Sequence, residues 1–123
     1  MHIKHITIYV DEADKFEKSI EFYETMTELT VARRFKAGMG EVVFLTNGEG
    51  ETEFELVYTP GGKMFEGKGM FICFATDKID EMHKLAVDKG LNPSLIQNPD
   101  VDTRYFYVYD PNGVSVQLRY YPK

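Results

Sequence analysis

The chemistry-bearing side chains of this sequence fall in short, strand-like runs. His5 lies in His-Ile-Thr-Ile-Tyr-Val at residues 5–10, and Glu55 lies in Glu-Phe-Glu-Leu-Val-Tyr at residues 53–58. An imidazole moves protons near neutral pH or ligates a metal, and a carboxylate serves as a general base. His5 is therefore either a ligand or catalytic group, or a strand histidine satisfied by one hydrogen bond. Glu55 says more, because an acid on a partly covered strand face needs a partner. Glu53 beside it reads as a solvated charge. Arg104 and Arg119 could grip an anion in two-pronged fashion, or end in surface ion pairs. Tyr105, Tyr107 and Tyr109 alternate with Phe106 and Val108, a strand signature first and a ligand platform second. Cys73 reads as a small buried hydrophobe, His83 as a solvent-facing helix residue, and His2 as an inert terminal residue.

Two copies of one pattern must position these residues. His-Ile-Thr-Ile-Tyr-Val-Asp at 5–11 is matched by Phe-Ile-Cys-Phe-Ala-Thr-Asp at 71–77, and each run is followed three residues later by a second acid, Asp14 or Asp80. Asp11 and Asp77 read as helix N-caps, with Asp14 and Asp80 in the first turn, where negative charge suits the helix dipole. Phe16, Ile20 and Tyr23 recur at helical spacing, as do Ile79, Met82 and Ala86, with Leu85 beside them. Gly90 is placed to end the second helix in a left-handed turn. The repeat closes in register: residues 52–60 and 114–122 align with Leu56 on Leu118, Tyr58 on Tyr120 and Pro60 on Pro122. Further strand patterns cover residues 29–35, 41–46, 95–97 and 103–109. Asn47-Gly48 and Asp110-Pro111-Asn112-Gly113 are hairpin-turn signals. The order is β-α-β-β-β, twice. Module one spans residues 1–60 and module two spans 70–123, joined by a glycine-rich linker over 61–69 within one domain.

Alternation along each strand assigns faces. Ile6, Ile8 and Val10 should pack under the first helix, leaving His5, Thr7 and Tyr9 on the other face. Ile72 and Phe74 take the helix face of the matching strand, and Phe71, Cys73 and Ala75 the opposite one. Phe54, Leu56 and Tyr58 oppose Glu53, Glu55 and Val57, just as Val116, Leu118 and Tyr120 oppose Ser115, Gln117 and Arg119. His5, Glu55, Phe71 and Gln117 thus share the helix-free side of their strands, the lining of a cleft if two curved sheets cup toward each other.

Composition narrows the partners. A formal net charge of −6 argues against nucleic acid, and no apolar run approaches the roughly 18–20 residues of a membrane span. One cysteine precludes an intrachain disulfide, and no signal-peptide core follows the N-terminus, so the expected compartment is the cytoplasm. The 43% hydrophobic and 28% charged shares are those of a globular chain.

His-Ile-Thr-Ile-Tyr-Val at 5–10, Ser-Ile-Glu-Phe-Tyr at 19–23, Phe-Glu-Leu-Val at 54–57 and Tyr-Asp-Pro-Asn-Gly-Val-Ser-Val-Gln-Leu at 109–118 resemble the vicinal-oxygen-chelate superfamily. Glyoxalase I, bleomycin-resistance proteins and extradiol dioxygenases are its members. The resemblance covers essentially the whole chain. It implies an α+β fold of two tandem βαβββ modules, with curved mixed sheets forming a cup and helices on the outer face. It also implies a homodimer and a divalent metal, Zn, Ni or Co, held by four residues. Those positions fall on His5, Glu55, Phe71 and Gln117. Histidine and glutamate bind metals well, a phenyl ring offers no donor, and an amide oxygen is a weak ligand. The usual catalytic carboxylate falls on Gln117, so Glu55 is the alternative base. Two functions follow from the resemblance. One is a glyoxalase I-like lyase or isomerase with non-standard metal ligands. The other is a metal-free protein binding a small molecule, with Phe71, Gln117, Arg104, Arg119 and Tyr9 as ligand contacts.

Overall fold

The first half of the chain folds into a βαβββ unit because its apolar residues change period from two to about four and back. In the computed structural model, which describes all 123 residues, β1 (His5–Val10) is followed by α1 (Ala13–Met26), β2 (Thr30–Ala37), β3 (Gly40–Thr46) and β4 (Glu53–Tyr58). The second half repeats the order: β5 (Ile72–Thr76), α2 (Ile79–Asp88), β6 (Gln97–Asp100), β7 (Thr103–Tyr109) and β8 (Ser115–Tyr120). Each unit carries one open four-stranded mixed sheet, in the order β1-β4-β3-β2 or β5-β8-β7-β6. The pairs β1·β4 and β5·β8 are parallel, and the others are antiparallel. The expected α+β fold with two tandem βαβββ modules is therefore present. Two compact units divide the chain, residues 1–66 and 67–123.

One face of each sheet is buried under its helix. In the first unit Val10, Phe16, Tyr23, Leu45 and Leu56 are fully buried, and the Tyr23 ring packs 4.4 Å from that of Phe54. In the second unit Ile79, Ala86, Phe106, Val116 and Leu118 play the same part. The parallel strand pair repeats in register, since Ile8 pairs with Leu56 as Phe74 pairs with Leu118.

Four expectations need correction. Asp11 and Asp77 do not cap the helices: the flanking residues are Glu12 and Lys78, and neither makes a side-chain capping bond. Asp11 instead faces Lys15 one turn on, and the Lys78 amide is taken by the Thr76 hydroxyl at 3.1 Å. Strand β6 covers Gln97–Asp100, not 95–97. Pro99 is tolerated there because the strand is an edge with an irregular register. Cys73 is exposed, because it lies on the helix-free face of β5. His83 is turned inward: its Nε2 is 2.9 Å from the Ser94 carbonyl, and its ring meets Phe106 edge-on. Asp14 and Asp80 do sit in the first helical turns, and Gly90 ends α2 at φ 71°.

Gly40 opens β3 where there is no room for a side chain. A Cβ there would fall 1.8 Å from the Tyr58 carbonyl oxygen. Gly40→Ala is expected to destabilise the protein by about 1–3 kcal/mol, the usual cost of overpacking, read by chemical denaturation. An unchanged midpoint would contradict this packing.

Arg34 on β2 ties α1 to the sheet by pairing with both Glu41 and Glu17. The guanidinium holds the Glu41 carboxyl below its usual range, with a smaller push from Lys36. A carboxyl depressed in the folded state stabilises above its unfolded pKa of about 4.3, and loses that stabilisation as pH falls through its folded value. Arg34→Gln is therefore expected to cost about 1 kcal/mol at pH 7. The gap to the unsubstituted protein should close below pH ~4. A gap independent of pH would refute the linkage.

Candidate functional site

The two helix-free sheet faces carry different chemistry on one geometric plan. In the first unit the registers set Thr7 beside Glu55 on one side and Phe44 on the other. The Thr7 hydroxyl donates to Glu55 Oε1 at 2.6 Å, and His5 Nε2 lies 3.6 Å from the same oxygen. His5 and Phe44 come from the strands flanking β4, and their rings meet edge-on 5.7 Å apart. An aromatic pair thus spans the strand that carries the acid. Glu53 is not a free surface charge. Arg33 grips it with two bonds of 2.7 and 2.8 Å, which keep its carboxyl below the ordinary range, and the guanidinium rests 4.1 Å from the Phe44 ring centroid.

The second unit repeats the plan with neutral side chains in place of the His5–Glu55 pair. Cys73 and Tyr107 flank Gln117 in register, as Thr7 and Phe44 flank Glu55. The Gln117 amide nitrogen donates to the Tyr107 hydroxyl at 3.1 Å. Phe71, just before β5, meets the Tyr107 ring edge-on at 5.3 Å, spanning β8. This cover explains why Gln117 is only 4% exposed on a face where Phe71 is 46% exposed. Burial pushes the Cys73 thiol up, against a smaller lowering by the charge of Arg119.

The remaining sequence candidates divide by face. Arg119 stands on the Gln117 face, paired in register with Tyr105 and Ala75. Arg104 is on the helix side of β7, held by two bonds of 2.7 and 3.1 Å to Asp80 in the first turn of α2. Tyr9 is half exposed on the His5 face, with the Lys63 ammonium 5.6 Å from its ring centroid. Thr7, Phe44 and Arg33 were not singled out by the sequence. Thr7 was legible as a neighbour of Glu55 once parallel pairing of the first and last strands is assumed. Arg33 was not, because a register shift between Val31 and Arg33 breaks the alternation that assigns faces.

The donors present do not fit the four-ligand metal that the resemblance implies. His5 and Glu55 are suitable types, but Phe71 has no donor atom, and Gln117 is neutral and covered by two rings. No three histidine, cysteine or carboxylate side chains are grouped to hold an ion. No helix is long and apolar enough to cross a membrane.

Residues 2–118 match the family model of the glyoxalase/bleomycin resistance protein/dioxygenase superfamily. No curated protein matches the sequence. Among solved structures, the fold is similar to a genomically encoded fosfomycin resistance protein from Listeria monocytogenes, in a mutant form complexed with Mn(II) and 1S,2S-dihydroxypropylphosphonic acid. The match has 17% identity and a TM-score of 0.74, covering 95% of this chain and 90% of that one. An antibiotic-binding protein from Streptomyces sp. CB03234 aligns at 18% identity and TM-score 0.73, over 100% and 97% of the two chains. The trypanothione-dependent glyoxalase I of Leishmania major aligns at 22% identity and TM-score 0.72, over 96% and 85%. At these identities the likeness to solved structures speaks for the fold, and the family match spans nearly all of the sequence. The chain belongs to the glyoxalase/bleomycin resistance protein/dioxygenase superfamily.

Proposed function

We propose that this protein binds a small, partly aromatic molecule on its helix-free sheet faces without a metal ion, as a binding or sequestering member of the superfamily. One observation carries the reading. In the second unit the two positions expected to supply metal ligands hold a phenyl ring and a buried amide, and the Phe71 and Tyr107 rings close over that amide. Such a surface suits an organic ligand: aromatic side chains give a large contact area at small entropic cost, and exposed apolar surface of this kind marks binding sites.

A second reading rests on the first unit. His5 and Glu55 form an acid–base pair with Nε2 and Oε1 3.6 Å apart. In a glyoxalase I-like lyase or isomerase, Glu55 would be the base that moves a proton between adjacent carbons, oriented by the Thr7 hydroxyl. The two readings separate in one experiment: metal analysis of protein purified without chelator, followed by an assay of methylglyoxal–glutathione isomerisation with added Ni, Co or Zn. The binding reading expects sub-stoichiometric metal and no turnover under any addition. Stoichiometric metal together with turnover that Glu55→Gln abolishes would overturn it.

A further inference from the structure

The second unit's helix-free face contains a cation that the fold leaves unmatched. The chain has four arginines. Arg33 is locked to Glu53, Arg34 to Glu17 and Glu41, and Arg104 to Asp80. Arg119 has no carboxylate within ion-pair distance, and its neighbours are aromatic: its guanidinium carbon lies 5.9 Å from the Tyr105 ring centroid and 5.7 Å from that of Tyr121. Asp100 feels its charge only at longer range. A half-buried guanidinium with two rings within about 6 Å is pre-oriented, and it has donors to spare for an incoming oxyanion.

The floor beside it is open. In register, Ala75 adjoins Arg119 and Cys73 adjoins Gln117, both side chains small and exposed. Across β8, Tyr105 and Tyr107 are in edge-on contact with each other at 5.7 Å. A planar group laid over Ala75 and Cys73 meets Gln117 and the Arg119 guanidinium on its β8 flank, with the two tyrosine rings beyond them. We infer that Arg119, steadied by Tyr105 and Tyr121, is the anion-recognising residue of this face, and that its ligand class is a small aromatic carboxylate or similar planar oxyanion.

The inference rests on the metal-free binding reading and adds the ligand's charge and shape. It is tested by calorimetric titration of the full chain with 1-naphthoate and with the neutral 1-naphthamide, using the unsubstituted protein, Arg119→Gln and Arg119→Lys. The expected result is naphthoate bound about tenfold or more tightly than the amide, as a charge-assisted bidentate contact provides. That preference should shrink with added salt. It should vanish in Arg119→Gln while amide affinity holds within about twofold, and survive in part in Arg119→Lys, which keeps the charge but loses the planar fork. Equal affinity for both probes in the unsubstituted protein overturns the inference and leaves the binding reading standing, as does a preference that persists in Arg119→Gln. Binding of neither probe overturns both. Should Arg119→Gln fail to fold, the two-probe comparison and its salt dependence decide the matter alone.

Discussion

Asp110→Ala is expected to remove roughly 2–4 kcal/mol of folding stability, the loss of a buried acceptor serving more than one donor. Asp110 is 4% exposed at the start of the turn that feeds β8. Its Oδ1 accepts from the amides of Asn112 at 2.8 Å and Val114 at 2.9 Å, and its Oδ2 from the Asn112 side chain at 3.1 Å. The backbone closes the same loop: the Asp110 amide donates to the Val114 carbonyl at 3.0 Å, and Gly113, at φ 89°, donates to the Asp110 carbonyl at 3.1 Å. Alanine leaves the Val114 amide, itself in a buried residue, without its acceptor. Asparagine keeps an oxygen at the Oδ1 position and gives up the charge, so Asp110→Asn should cost about half as much. Urea denaturation of the two variants checks the ordering. A loss below ~0.5 kcal/mol for alanine would mean that the turn is held by its backbone alone, and equal losses would mean that the charge rather than the acceptor carries the effect. Because β8 carries Gln117 and Arg119, the same variant should also weaken whatever the second unit's face binds.

Replacing Phe71 by histidine and Gln117 by glutamate together is expected to raise affinity for Zn or Ni on the order of 100-fold or more, since it puts ligand-type side chains, two histidines and two carboxylates, at all four positions that the family resemblance implies. The geometry behind this is internal to each unit. Positions 71 and 117 stand in the register relation that positions 5 and 55 occupy, and there His5 and Glu55 already approach to 3.6 Å. The double substitution gives the second unit the same histidine–carboxylate pair and removes the Phe71 ring that packs against Tyr107 above it. Each single substitution should gain far less, since one leaves the amide and the other leaves the ring. Competition against a chromophoric chelator measures the change. No gain from the double variant would show that these positions are not equivalent to those that bind metal in the family.

Much of this was readable in the sequence, for reasons that can be named. The doubled order of elements came from helical spacing at Phe16, Ile20 and Tyr23 and at Ile79, Met82 and Ala86, all buried in the structure. Strict alternation put His5 with Glu55 and Phe71 with Gln117, because β1, β4, β5 and β8 pair without a register shift. Alternation failed on β2 and β6, which are edge strands with irregular registers, and so it could not anticipate that Arg33 claims Glu53. Cys73 was misread because residue type outweighed position: a small sulfur side chain prefers the interior, but its strand face points away from the helix. Asp11 and Asp77 were misread because each helix begins one residue later than a capping Asp would require. Which arginine is left without a carboxylate depends on long-range pairing, Arg104 with Asp80 and Arg34 with Glu17, that local pattern does not encode.

Titration of 1-naphthoate into chelator-treated protein, and into the same protein given one equivalent of Zn, shows whether ligand binding needs an ion. Saturable binding is expected in both, with dissociation constants within about twofold, because no ligand contact passes through an ion. Binding that appears only once the metal is present would contradict the metal-free reading and return the His5–Glu55 pair to the centre of the chemistry.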